Sequence, residues 1–241
     1  MYKGKSILAI IPARGGSKGI PRKNIRNMAG MPLMAWSIEA GRRSKYIDRI
    51  IVSTEDREIM DIALKYGAEV PFLRPNELAQ DNTPGVEPVL YTVKKLINDE
   101  NNKYDYTILL QPTSPLRNEK HIDEAIETLL SINNIKKFNS LISVTEVEHP
   151  VYWNRLIGAN NELKDFLKYD KSIKFRRQHF NNVYRLNGAI YLIETDALLK
   201  YMNFETDNTM AYKMDKKSTI DIDCIDDFEL AEFYIEKKIS R

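Results

Sequence analysis

The chain has 241 residues, 43% hydrophobic and 29% charged, which suits one large packed domain at roughly 100–200 residues per domain. Its 36 basic and 34 acidic residues leave a net charge of +2, too balanced for a protein that coats nucleic acid or clings to an anionic membrane. The single cysteine, Cys224, excludes an internal disulfide and cysteine-built zinc sites, and no apolar run approaches the roughly 20 residues of a membrane span.

Taken in chain order, the pattern alternates. Ser6–Pro12 is a short apolar run closed by proline, as in a buried parallel strand. No signal peptide is expected there, because Ile7–Ile11 is too short, so cytoplasm is the expected compartment. Loop chemistry follows to Gly30. Leu33–Arg43 reads as a helix, Arg49–Ser53 as a strand, and Glu55–Tyr66 as a helix ending at Gly67. Glu69–Leu73 is predicted as a strand stopped by Pro75. Val86–Ile97 reads as a helix, Tyr106–Leu110 as a strand, Glu119–Ile132 as a helix and Ser140–Val144 as a strand. From His149 to Arg185 the period is lost, and this stretch is the candidate insertion. Gly188–Ile193 and Thr219–Asp223 read as strands, and Asp226–Lys237 as a closing helix capped by Asp226 or Asp227. Repeated strand–helix alternation predicts an open, doubly wound α/β sheet. Ligands of such sheets bind beyond the C-terminal strand ends.

Three motifs sit at such ends. The loop Ala13–Asn24 follows the first strand and brings three glycines, with Arg14, Lys18, Arg22 and Lys23, into one turn. Glycines permit close backbone approach, and successive N–H groups can cradle an anion. It is neither a Walker A loop nor a dinucleotide fingerprint, because both spacings are absent. Gln111-Pro-Thr-Ser-Pro-Leu-Arg117 follows the Tyr106–Leu110 strand. Its prolines stiffen the loop and Gln111 offers a donor and an acceptor. Asp221-Ile-Asp223 places two carboxylates at i and i+2, on one face of an extended chain, the pattern of a solvated edge strand and equally of a site for Mg²⁺ completed by phosphate and water. Asp226 and Asp227 are better explained as caps. A basic N-terminal loop and an acidic C-terminal cluster fit either a solvated surface or an anion held between cations and a metal.

The stretch I-P-A-R-G-G-S-K-G-I-P-R-K-N at 11–24 resembles the signature of the acylneuraminate cytidylyltransferases, and more distantly that of the CMP-Kdo synthetases. R-I-I-V-S-T-E-D at 49–56, L-R-P at 73–75, L-L-Q-P-T-S-P-L-R at 109–117, R-L-N-G-A-I-Y at 185–191 and S-T-I-D-I-D at 218–223 follow in family order. The resemblance spans nearly the whole chain. It implies a Rossmann-like nucleotidyltransferase domain over 1–241, with residues 149–185 as a dimerisation arm, and hence a homodimer. It implies nucleotide contacts from Ala13, Arg14, Gly15, Gly16, Ser17, Lys23, Asn24, Arg74 and Gln111. Sugar contacts are implied for Gln111, Arg185, Asn187 and Tyr191, and Mg²⁺ ligation for Asp221 and Asp223. His149-Pro150 matches a loop at the sugar site. Tyr152 stands where bacterial sialate members often carry lysine, and Asn82-Thr-Pro-Gly replaces a Ser/Thr-rich turn. These departures leave the sugar open. His121 and His179 are read as structural or exposed.

The implied reaction is attack of a nonulosonic acid, through its anomeric hydroxyl, on the α-phosphorus of CTP. Arg14 and Lys23 would hold the triphosphate, and the base would be either a metal-bound hydroxide or Asp223, itself a metal ligand. Rival readings are a CMP-Kdo-type synthetase, a glycosyltransferase using D-x-D, and a non-catalytic nucleotide-binding module. Neither nucleic acid nor membrane is an expected partner.

Overall fold

The computed structural model describes residues 1–132, 138–167 and 182–239. Its centre is a six-stranded sheet. Strands β1 (Ile7–Pro12), β4 (Arg49–Ser53), β5 (Tyr106–Leu109), β6 (Ser140–Glu146), β9 (Tyr184–Glu194) and β10 (Thr209–Lys213) stand in the order β10-β6-β9-β5-β1-β4. The remaining strands form two small hairpins, β2 (Asn27–Met28) with β3 (Met31–Pro32), and β7 (Arg155–Ile157) with β8 (Leu163–Asp165). Every central pair is parallel except those made by β9, which runs antiparallel to both β5 and β6.

The run Ile7–Ile11 is apolar throughout because both faces of β1 are covered. Ile7, Ala9 and Ile11 pack with helices α1 (Leu33–Arg43), α2 (Arg57–Lys65) and α4 (Glu119–Ile132). Leu8 and Ile10 pack on the opposite face with α3 (Glu87–Glu100) and α5 (Thr195–Tyr201). The chain winds from β1 to β4 on one side, then returns to place β5 on the other. That reversal opens a crevice beyond the C-terminal ends of β1 and β5.

A third cluster holds Ile20 of the glycine loop, Ile222 between the two aspartates, and Phe228, Ala231 and Ile235 of α6 (Ile225–Ile239). The N- and C-terminal motifs thus share one apolar footing.

Several expectations are corrected. Glu69–Leu73 makes a single bridge, Ile51 to Glu69, because Pro71 has no N–H to continue a ladder. Thr219–Asp223 joins no sheet. Lys217–Thr219 is a 3-10 turn, and the segment after it is held by Ile222 N–H donating to Thr113 O at 2.9 Å. The helix predicted at Glu55 starts at Arg57, with Asp56 as N-cap accepting from Ile59 N–H. Asp227 caps α6 from inside its first turn, where its carboxylate accepts the N–H groups of Asp223 and Cys224. The predicted strand Gly188–Ile193 extends back to Tyr184, and α5 and β10 are additions. Within the candidate arm, residues 155–165 carry the β7–β8 hairpin, which pairs only with itself. His179 lies outside the described residues. Among those residues no helix is long and apolar enough to cross a membrane.

Candidate active site

The glycine loop leaves β1 with Ala13 N–H still paired to Ser53 O, so its first residue is fixed by the sheet and fully buried. Asn24 pins the far end, donating Nδ2–H to Arg14 O at 2.9 Å. Between them, Gly19 passes so close to the chain at Asp223 that a Cβ would lie 2.4 Å from the Asp223 carbonyl oxygen. Lys23 reaches across and donates to Ile222 O. The cationic loop and the acidic pair are therefore in main-chain contact.

The two motifs enclose one cleft of about 330 Å³. Arg14, Gly16, Ser17, Lys23 and Asn24 line it together with Gln111, Thr113, Asp221 and Asp223, and Arg74 lines it as well. The expected nucleotide residues Ala13 and Gly15 do not line it. Gly15 N–H is taken by Glu55 Oε1 at 2.7 Å. Arg22 turns away to Asp56 and Glu58, so it adds no charge to the cleft.

Glu55 was invisible as a site residue, since a glutamate heading a helix is ordinary. Its second oxygen accepts Nε and Nη2 of Arg74 at 3.1 and 2.9 Å. Arg74 is deeply buried, and burial lowers its pKa while Glu55 opposes the shift. One carboxylate thus ties the glycine loop to an arginine 19 positions after it. Asp81 was also missed. It bridges Arg14 Nη2 at 2.9 Å and Lys18 Nζ at 2.7 Å on the cleft rim, and the two cations hold its carboxyl below the usual range.

At Asp221 the carboxyl is pushed up, mainly by burial; a hydrogen bond from Thr113 opposes this and Asp223 adds repulsion. Its Oδ1 is buried and has no partner among the described residues. Asp223 beside it is exposed. A divalent cation would answer both the orphaned oxygen and the repulsion, so the donor set fits Mg²⁺. Among the described residues no cluster of three His, Cys, Asp or Glu forms a metal cage, so such an ion would draw further ligands from substrate and water.

The sugar-side set is only partly assembled. Because β9 is antiparallel, its first half lies beside the C-terminal ends of β5 and β6. Gly188, at φ +75°, lets Gln111 lie against the strand; a Cβ there would meet Gln111 Oε1 at 2.6 Å. Arg185 is exposed, and its charge is felt by Asp221. Asn187 is buried, with Oδ1 accepting Ser143 Oγ–H at 2.6 Å and Ala189 N–H at 3.1 Å. It shapes the irregularity in β9 rather than lining the cleft. The Tyr191 ring packs on Phe204, and burial raises its hydroxyl pKa. His121 is a partly buried helix residue, and the His149 ring stacks on Trp153.

A model of the Cytidylyltransferase family matches residues 8–239. A pseudaminic acid cytidylyltransferase of Campylobacter jejuni is 35% identical over 225 residues, covering 93% of this chain and 94% of that one. A CMP-N,N'-diacetyllegionaminic acid synthase of Legionella pneumophila is 36% identical over 232 residues, covering 95% and 96%. Among solved structures, a CMP:2-keto-3-deoxy-manno-octonic acid synthetase complexed with CTP superposes with a TM-score of 0.71 at 13% identity, covering 97% of this chain and 99% of that one. That likeness carries the fold alone. With the family match running from the first strand to the last helix, the chain belongs to the cytidylyltransferase family.

Proposed function

We propose that the protein transfers CMP from CTP to the anomeric hydroxyl of a nonulosonic acid and releases pyrophosphate. The observation that carries this reading is the single cleft in which the glycine loop, Gln111 and the Asp221–Asp223 pair meet at the sheet's switch point. The relatives, named for pseudaminic and legionaminic acids at nearly equal identity, support the acid's class without choosing within it.

Positioning and charge carry such a transfer, and no protein nucleophile is needed. Arg14 and Lys23 hold the triphosphate, while Arg74, fixed by Glu55, donates to the nucleotide. Gln111, held against Gly188, orients the acid beside the α-phosphorus. The anomeric oxygen bonds to that phosphorus as the bond to the bridging β-phosphate oxygen breaks. Exposed Asp223 is our candidate to take the hydroxyl proton. Mg²⁺ held by Asp221 and Asp223 supplies positive charge to the reacting phosphate when bound.

We also propose a homodimer. The β7–β8 hairpin exposes Leu156, Ile157 and Leu163, an apolar surface that a second copy would cover. The expected setting is the cytoplasm, where CTP is at hand. The test is pyrophosphate release with Mg²⁺, run with CTP, UTP, ATP and GTP against sialic, legionaminic, pseudaminic and Kdo acids. CTP with one nonulosonic acid should dominate; release from another nucleotide alone, or from no pair, contradicts the reading.

A further inference from the structure

Arg117 ends the Gln111 loop and is among the most deeply buried side chains, 2% exposed. Among the described residues no carboxylate pairs with it. Nη1 donates to the main-chain carbonyls of Gln111 at 3.1 Å and Ala189 at 3.0 Å. Nε and Nη2 are buried and have no partner among the described residues. Burial pushes the guanidinium pKa down to about 9. A charge buried without a counterion, with two donors unmet, works against folding, and an apolar side chain of similar volume often serves a core as well or better.

What the guanidinium does provide is a bridge. Gln111 O also accepts from Ser37 Oγ–H and Ser114 N–H, which belong to α1 and to its own loop. Only the Arg117 bond among these crosses to β9, where Ala189 follows Gly188 and Asn187. We propose that Arg117 is a positioning residue that fixes the spacing between the Gln111 loop and the bulged segment Asn187–Ile190. It thereby holds Gln111, which lines the cleft, at a set distance from β9. This rests on the function proposed above, and it concerns a residue that touches neither substrate.

The test uses Arg117→Met and Arg117→Lys in the full chain, with thermal unfolding, steady-state kinetics and amide hydrogen exchange. Arg117→Met should keep or raise Tm, yet lower kcat about 100-fold, the scale of an ångström's misplacement. Arg117→Lys, which keeps one reach to a carbonyl, should recover part of kcat. Exchange should rise together in Gln111–Thr113 and Asn187–Ile190 in Arg117→Met, and less in Arg117→Lys. Should Arg117→Met fail to fold, Arg117→Lys alone must still show paired loosening. Unchanged exchange in both segments, or activity lost only in proportion to Tm, overturns the inference. Exchange reads the bridge without turnover, so an inactive wild-type protein would sink the functional reading and leave this result standing or falling on its own.

Discussion

Gly19 and Asp223 are 204 positions apart in the chain, yet the space for a Gly19 side chain is taken by the Asp223 carbonyl oxygen, 2.4 Å from where a Cβ would sit. The obstacle is main chain, which cannot swing aside. Gly19→Ala should push the glycine loop off the aspartate segment and lower kcat/KM about 100-fold, as a misplacement near 1 Å does. Steady-state kinetics beside a melting curve checks this; undiminished kcat/KM would show that the contact is slack.

Asp221 gives a pH signature. Its folded pKa is raised above the unfolded value, so its contribution is most favourable below the ordinary carboxylate pKa of about 3.9 and is lost as pH rises through the raised one. Asp221→Asn should therefore raise Tm at pH 7 in metal-free buffer, the gain vanishing near pH 3, while turnover is lost. Divalent cation should raise Tm of the wild type at pH 7 and not that of the variant. Melting curves at both pH values decide it. For Asp223→Ala the expectation is a folded protein without pyrophosphate release.

Removing Glu55 leaves the Arg74 guanidinium charged and buried with no partner among the described residues. Glu55→Ala should cost about 3–5 kcal/mol, the range for breaking one side of a buried pair. Denaturant unfolding measures that loss. A higher KM for CTP should accompany it, because the same carboxylate holds the Gly15 N–H.

Asp81 behaves oppositely, since its pairs with Arg14 and Lys18 are on the surface. Asp81→Asn should barely move Tm, and should lower KM for CTP about two- to fivefold by freeing both cations, the equivalent of a surface pair worth ~0.4–1 kcal/mol. A raised KM would mean that Asp81 orients those cations instead.

Much of this was legible because strands buried on both faces are unmistakable: Ile7–Ile11 is apolar without a break, and in Tyr106–Leu109 only Thr107 interrupts the run. The edge strand β10, sequence TMAYK, is half exposed and looks like loop; α5 has seven residues and no side-chain cap. The D-x-D alternation held, with Ile222 buried between two cleft aspartates, although no strand imposes it. Glu55 and Arg117 stand inside the stretches 49–56 and 109–117, but the pattern there assigns neither a task. Each acts through a tertiary partner, Arg74 or the Ala189 carbonyl, and neither spacing follows a helix or strand period.

The placement of the nucleotide is tested most directly by a crystal structure with CTP and Mn²⁺, the metal located by its anomalous signal. A manganese peak is expected between the carboxylates of Asp221 and Asp223, with the triphosphate against Arg14 and Lys23. Nucleotide bound elsewhere, for instance in the 510 Å³ groove lined by Trp36, Leu116 and Tyr234, would contradict it.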